Sequence, residues 1–303
     1  MISDASISNT YLVDPHLLRT FVTVVRTGSF SAAAAELGYT QAAVSQQIAS
    51  LENDLKATLL HRRPVGTTEA GARLLEHAGP ILLRLQAARA EIVRMSGTSR
   101  ARLRIGASPL ASVHVAAPLA RARAAHPRVE ATLWVMGRAG IGAAVAAGDL
   151  DIGLVDGIAA PSDPLRLADT VPLAAVAVAE RALALVLPAA HPLASRPGAD
   201  LNDLVDALWL DVPDVAVPLP ALRQATGSRD GFRPSLTCEG GDLPFLLALI
   251  AAGHGLAVLP AGLAGGAGLA EVPVRAPRIV HRTELLHSRA TDPATAAFVA
   301  ALS

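Results

Sequence analysis

The sequence predicts an α/β chain with a helical front and a larger back portion in which strands and helices alternate. Three observations carry this. Residues 12–70 hold short helical periods separated by glycines, residues 71–98 hold one long apolar repeat, and residues 101–303 alternate apolar strand-like runs with helical ones. The length, 303 residues, accommodates about two or three domains of roughly 100–150 residues each. A hydrophobic content of 51% supports a sizeable core rather than long disorder.

"DPHLLRTFVTVVRTG" reads as the first helix. Asp14 caps it, Pro15 suits its first turn, and Gly28 stops it. Leu17, Phe21 and Val24 share one face. "SFSAAAAELG" reads as a short second helix, with Ser29 as cap and Gly38 as terminator; its alanines allow close packing. Thr40 then caps a third helix to about Leu55. On it Val44, Ile48, Leu51 and Leu55 form a narrow apolar stripe. Ala42, Ser45 and Gln46 point away from that stripe, with Gln41 on its flank. Two helices joined by a tight glycine turn, the second with a slim, neutral polar face, make a helix-turn-helix pattern. Gln pairs with adenine, Ser with donor or acceptor edges, and Ala with a thymine methyl. An ordinary solvated face explains this one helix equally well.

"LLHRRPVGTTEAG" follows. Arg62 and Arg63 stand beside a Pro/Gly turn and Thr68 caps a new helix, so the stretch reads as a short wing with phosphate-seeking cations at its base. The alternative is two solvated arginines. From Glu69 to about Met95 a single helix is expected. Leu74, Ala78, Ile81, Leu85, Ala88, Ile92 and Met95 are spaced 4, 3, 4, 3, 4, 3, a coiled-coil seam. Gly79 and Pro80 are expected to interrupt and kink it. The seam wants a partner helix, either in a second copy of the chain or elsewhere in its own.

Charge is uneven. Residues 12–70 hold five basic and five acidic side chains, a net of zero; residues 71–104 hold seven Arg and two Glu, a net of +5. The whole chain is neutral, so its global charge argues neither for nor against nucleic acid. Lys56 is the only lysine. Cys238 is the only cysteine, which excludes a disulfide within one chain and leaves a small core residue or a thiol pairing between chains. The opening "MISDASISNT" has neither a basic nor an apolar leader segment, so a cytoplasmic protein is expected. Residues 243–270 lack Asp, Glu, Lys and Arg, but Pro244, Gly253, Gly255, Pro260 and Gly262 break the run. It reads as a buried helix, a turn, a buried strand and a loop, and no membrane span is expected.

From Leu103 onward, "RLRIGAS", "VEATLWVM" and "DLDIGLVD" read as strands separated by helices. After a crossover near "LALVLPAAHPLA" the rhythm repeats through "ALWLDV", "SLTCEG" and "LAVLP", ending with "RIVHRTELLHS" as a returning strand and "DPATAAFVAALS" as a final helix. This βαβα order implies parallel sheets in two lobes with a cleft between them. Ligands sit beyond the carboxyl ends of such strands. That rule selects Ser108, Gly137, Arg138 and Asp156 in the first lobe and Asp214 and Glu239 in the second. Arg138 suits a carboxylate and the acids suit a polar or amine-bearing ligand. Ser108 reads equally as a helix cap and Arg138 as a solvated side chain.

Enzyme signatures are weak. In "GRAGIGAAV" the third glycine of the dinucleotide pattern is Val145, and G-x-S-x-G, H-E-x-x-H and P-loop patterns are absent. The nine His are scattered, and no metal or cofactor is expected. A solute carrier would account for residues 103–303 but leave the front idle.

The stretch "LRTFVTVVRTGSFSAAAAELGYTQAAVSQQIASLENDL…LLHRRPVGTTEAG" resembles the amino-terminal domain of LysR-type transcriptional regulators, and "LRIGAS", "GDLDIGLV", "HPLA" and "LLALIAAGHGLAVLP" are similar to later parts of that family. The resemblance covers about residues 12–303. It implies a winged helix-turn-helix at 12–70 and a dimerising linker helix at 71–98. It also implies a two-lobed Rossmann-like domain of the type-2 periplasmic-binding-protein kind at 101–303, with lobe I at about 101–172 and 275–303 and lobe II at about 173–274. The implied partners are double-stranded DNA, a small-molecule effector, further copies of the chain up to a tetramer, and RNA polymerase. The implied role is regulation, not catalysis. The sequence departs from the family at Ala42, Gln46, Lys56, Leu60 and Thr67, where Pro, Arg, Gly, Phe and Leu are usual. Gln46 alters the expected base or phosphate contacts, and Lys56 stands where a helix-ending Gly is expected.

Overall fold

The computed structural model describes residues 13–96, 102–167, 173–266, 268–288 and 292–302, except for the side chains at 87, 90, 91 and 93–96. The chain divides into two compact units between Ile92 and Val93.

In the first unit, α1 (Pro15–Thr27), α2 (Phe30–Leu37) and α3 (Gln41–Leu55) begin and end where their caps dictate. The Asp14 carboxylate accepts from the His16 N–H at 2.8 Å, and Ser29 and Thr40 cap the next two helices. Gly28 and Gly38 close α1 and α2 in the left-handed conformation. Lys56 does the same for α3 at φ 50°, the conformation for which the usual glycine is suited. Phe21, Val24, Val44, Ile48 and Leu51 are buried together around Ala33 and Ala34. Leu18 takes the deep position on α1, and Leu17 only borders the core. Leu55, expected on the buried stripe, is instead exposed at the end of α3.

The wing is an antiparallel pair, β1 (Leu60–Arg62) and β2 (Val65–Thr67). Glu52 of α3 ties it down by accepting from the Leu59 N–H at 2.7 Å and the Leu60 N–H at 3.2 Å. Thr68 then caps α4 (Glu69–Ser96) by accepting from the Gly71 N–H at 3.0 Å. Gly71 permits this approach: a Cβ there would lie 2.0 Å from the Leu59 carbonyl oxygen. As expected, α4 runs as one helix, with Gly79 and Pro80 inside it. A single proline removes one hydrogen bond, and the turns on either side supply the rest.

The second unit has two lobes. Lobe I is a five-stranded sheet in the order β4 (Glu130–Val135), β3 (Arg102–Ala107), β5 (Ile152–Ala159), β13 (Val280–His287) and β6 (Ala174–Arg181). The first three are parallel; β13 runs antiparallel to both its neighbours. α5 (Ala116–Ala125) and α9 (Pro293–Ala300) cover one face over Leu103, Ile105, Leu154 and Leu285, and α6 (Arg138–Ala147) covers the other over Val155 and Leu286. A short 3-10 turn, Ser112–His114, leads into α5.

Lobe II is a four-stranded sheet, β11 (Ala257–Pro260), β7 (Leu183–Pro188), β12 (Leu269–Ala276) and β8 (Ala199–Asp200). A parallel pair, β9 (Trp209–Asp211) and β10 (Pro234–Thr237), connects to it through the Trp209–Leu256 bridge. α7 (Leu219–Thr226) and α8 (Leu243–Ala251) complete the lobe. Its apolar clusters centre on Trp209, Phe232 and Leu222, and on Val212, Leu246 and Ile250.

Two expectations change. The sheets are mixed rather than parallel, because β11, β7 and β12 pair antiparallel. "LALVL" of the supposed crossover is the central, wholly buried strand β7, and residues 174–181 belong to the sheet of lobe I, so the lobes meet near residue 182 rather than 173. A uniformly buried strand lacks the alternation that marks strands in sequence.

Candidate DNA-reading face and effector cleft

On α3 the buried side chains Val44, Ile48 and Leu51 fasten the helix to its own core, and the Thr20 hydroxyl donates to Gln47 Oε1 at 2.7 Å to hold α1 against it. Outward at its amino end are Thr40, Gln41, Ala42 and Gln46, all exposed, with Ser45 half-buried between them. Gln41 Nε2 donates to Ser45 Oγ at 3.4 Å, so the two present one shared polar edge. Tyr39, immediately before the cap, has its hydroxyl 2.9 Å from His16 Nε2, joining the amino ends of α1 and α3. Arg62 and Arg63 are exposed at the wing, and the Arg62 guanidinium lies 5.8 Å from the Phe30 ring centroid, a cation–π contact that orients it. The whole group occupies one unit and is free of acidic partners: neither arginine forms an ion pair among the described residues.

The seam of α4 divides in two. Leu74 packs against the core of its own unit and Ala78 is fully buried. Ile81 and Leu85 are 45% and 46% exposed, Ala88 is exposed, and Ile92 is 66% exposed. The Met95 side chain lies outside the described residues.

In the second unit the carboxyl ends of the strands converge on Asp156, whose side chain is fully buried. The Ser108 hydroxyl donates to its Oδ1. His281 Nε2 lies 2.9 Å from Oδ2 and Arg138 Nη1 3.2 Å from the same oxygen. Burial alone would push the carboxyl upward. The hydrogen bond from His281, the Arg138 charge and the Ser108 hydroxyl outweigh burial and hold it below the usual carboxylate range.

Arg138 extends from lobe I into lobe II. Its Nη1 donates to the Asp156 carbonyl at 3.3 Å and its Nη2 to the Ala216 carbonyl at 3.2 Å, and its backbone N–H donates to Asp214 Oδ1 at 3.3 Å. Gly137 allows that approach, since a Cβ there would stand 3.1 Å from the same carboxylate oxygen. Ser108, Gly137, Arg138, Asp156 and Asp214 are therefore one constellation. Glu239 is not part of it; it is exposed beyond β10. Nor is Arg138 an open fork awaiting a carboxylate: both of its terminal nitrogens are occupied within the protein. Ser108 is no helix cap but a buried donor.

His281 of this cluster was not legible in the sequence. His281 returns on the last strand, 125 residues after its partner, and no local pattern links the two. A serine, an aspartate and a histidine in one cluster invite a hydrolase reading. Here both Ser108 and His281 bond the carboxylate rather than each other, so no base faces the serine hydroxyl. Among the described residues no group of His, Cys, Asp and Glu has the geometry of a metal site, and no helix is long and apolar enough to cross a membrane.

Residues 15–72 match the bacterial regulatory helix-turn-helix protein, lysR family, and residues 96–303 match the LysR substrate binding domain. The HTH-type transcriptional activator TtdR of Escherichia coli K12 is 44% identical over 93 residues, 30% of this chain and 30% of that protein. The matched stretch thus spans under a third of TtdR. The HTH-type regulator YnfL of the same organism is 31% identical over 247 residues, 80% of each chain. Among solved structures, full-length BenM is 25% identical with a TM-score of 0.50, covering 96% of this chain and 95% of that one. Full-length CbnR bound to its target DNA is 21% identical with a TM-score of 0.50 over 96% and 99%, a likeness of fold. With both units matched and a third of residues shared across most of a relative's length, the chain belongs to the LysR family of transcriptional regulators.

Proposed function

We propose that this chain regulates transcription by binding double-stranded DNA as a dimer, under the control of a small molecule bound between the lobes of its second unit. The observation that carries the reading is the face of α3. Its apolar stripe is committed to the core, and its outward side offers Gln41, Ser45, Gln46 and Ala42, a slim set of donors, acceptors and a methyl. Base edges are specified by such groups, and phosphates are held by Arg62 and Arg63 at the wing. With Gln at position 46 rather than Arg, the wing carries a larger share of phosphate attraction.

The exposed half of the α4 seam, Ile81 and Leu85 onward, supplies the contact between copies, placing two reading helices on one duplex. Arg138 links the lobes through Asp214 and Ala216, so a ligand that favours one lobe arrangement shifts the population of DNA-binding states. No catalytic step belongs to this reading, and the protein acts in the cytoplasm, where the DNA is.

The test is binding of the purified chain to the DNA upstream of its own gene, with salt titration and competitor DNA. Gln41→Ala and Ser45→Ala each relax base preference by about 1–3 kcal/mol, whereas Arg62→Ala weakens binding to every sequence alike. Unaltered preference in both helix variants removes α3 as the reader.

A further inference from the structure

A cavity of about 290 Å³ lies on the His281 side of the Asp156 cluster, with both lobes in its wall. That is at the lower end of small-molecule sites, which run from roughly 300 to 1,000 Å³. Leu110 and Val135 from lobe I and Leu243 and Leu263 from lobe II give it an apolar surface. Its polar groups are lopsided in charge. Arg181, His114 and His281 face it, and the one acid in the wall is Asp242.

That acid is already engaged: Asp242 caps α8, accepting from the Phe245 N–H at 2.8 Å. Arg181 donates to the Ala261 carbonyl and forms no ion pair with a carboxylate among the described residues. His281 turns its Nε2 to Asp156. His114 is half-buried, and burial together with the Arg181 and His281 charges disfavours its protonation. A guanidinium and an imidazole thus border an apolar space whose one acid among the described residues, Asp242, is tied to the cap of α8.

We propose that the effector is a small organic anion whose carboxylate is bound by Arg181 and His114 and whose compact apolar body lies against Leu110, Val135, Leu243 and Leu263. This rests on the effector reading above and deepens it. A cationic ligand would be repelled by Arg181, and an inorganic anion would leave the apolar wall of Leu110, Val135, Leu243 and Leu263 unfilled. Binding a carboxylate also makes protonation of His114 favourable. Arg181, His281 and Asp242 face that imidazole, with Asp156 behind His281, so affinity rises as pH falls.

The experiment is a thermal-shift titration of the full-length protein with hexanoate, hexanamide, hexylamine and inorganic phosphate, and in parallel with a broad set of metabolites. Stabilisation of the second unit by hexanoate alone is expected, with apparent affinity about tenfold or more weaker in Arg181→Gln, the size of a lost charge-assisted hydrogen bond. Arg181 is exposed, so its replacement leaves the core and the fold intact. Equal stabilisation by the amide or the amine, phosphate acting alone, or hexanoate unaffected by Arg181→Gln overturns the anion assignment. If a metabolite of another class stabilises the protein while hexanoate does nothing, the assignment fails and the effector reading stands. If no compound stabilises it, both fall.

Discussion

Replacing Asp156 by Asn tests the centre of the second unit. The substitution keeps shape and removes charge. The amide oxygen takes the place of Oδ2, facing Arg138 and His281 at 3.2 and 2.9 Å. The amide nitrogen takes the place of Oδ1, and the Ser108 hydroxyl rotates from donor to acceptor. Every hydrogen bond can therefore re-form, and what is lost is charge assistance. Bonds to a charged group contribute about 1.5–3 kcal/mol against about 0.5–1.5 for neutral ones, so two of them cost about 2 kcal/mol. Arg138, 17% exposed, is left without its counter-ion, which raises the total to roughly 2–3 kcal/mol. For a unit of this size that lowers Tm by roughly 4–12 °C.

The pH dependence is a second readout. The folded carboxyl is held below its ordinary range, so the stabilisation is full above the unfolded pKa and is lost as pH falls through the lowered folded one. Wild type and Asp156→Asn should differ most at neutral pH and converge in acid. The assay is tryptophan fluorescence during thermal unfolding. Both tryptophans, Trp134 and Trp209, lie in the second unit, so the signal reports on that unit alone. A Tm unchanged within a degree, or a difference independent of pH, refutes the assignment of Asp156 as a charged hub.

Two further outcomes concern the first unit. Lys56→Gly relieves a left-handed residue at φ 50° and should stabilise that unit by about 1 kcal/mol, read by far-ultraviolet circular dichroism during thermal unfolding; destabilisation would show that the lysine side chain matters more than its backbone. The double change Ile81→Asp and Leu85→Asp places charge on the exposed half of the α4 seam and should yield a folded monomer in sedimentation velocity, with DNA affinity reduced more than about tenfold by the loss of bivalency; a dimer that persists would move the interface elsewhere.

Local chemistry made much of this protein legible from its residues alone. Asp14, Ser29, Thr40 and Thr68 cap the helices they precede, and Gly28 and Gly38 end the ones they follow, because capping needs only neighbours three or four residues away. Val44, Ile48 and Leu51 are buried as their spacing requires, which in turn fixes which side chains of α3 face outward. Leu55 escapes that pattern because α3 ends there, beyond the core it would pack on.

Tertiary structure decided the rest. Periodicity could not place β7, whose five consecutive buried residues show no alternation, nor make the sheets mixed, since strand direction depends on which distant segments pair. The seam on α4 read as uniform from Leu74 to Met95, yet Leu74 and Ala78 turn to their own unit while Ile81 and Leu85 stay exposed. In the cleft, the sequence selected Ser108, Arg138 and Asp156 by their positions after strands. Only the fold showed that they bind one another, that His281 joins them from the last strand, and that Arg181 and His114 face the cavity beside them. The physical reason is range. Caps and stripes are settled within a few residues, whereas a buried charge takes its partners from whichever strands the sheet brings alongside it.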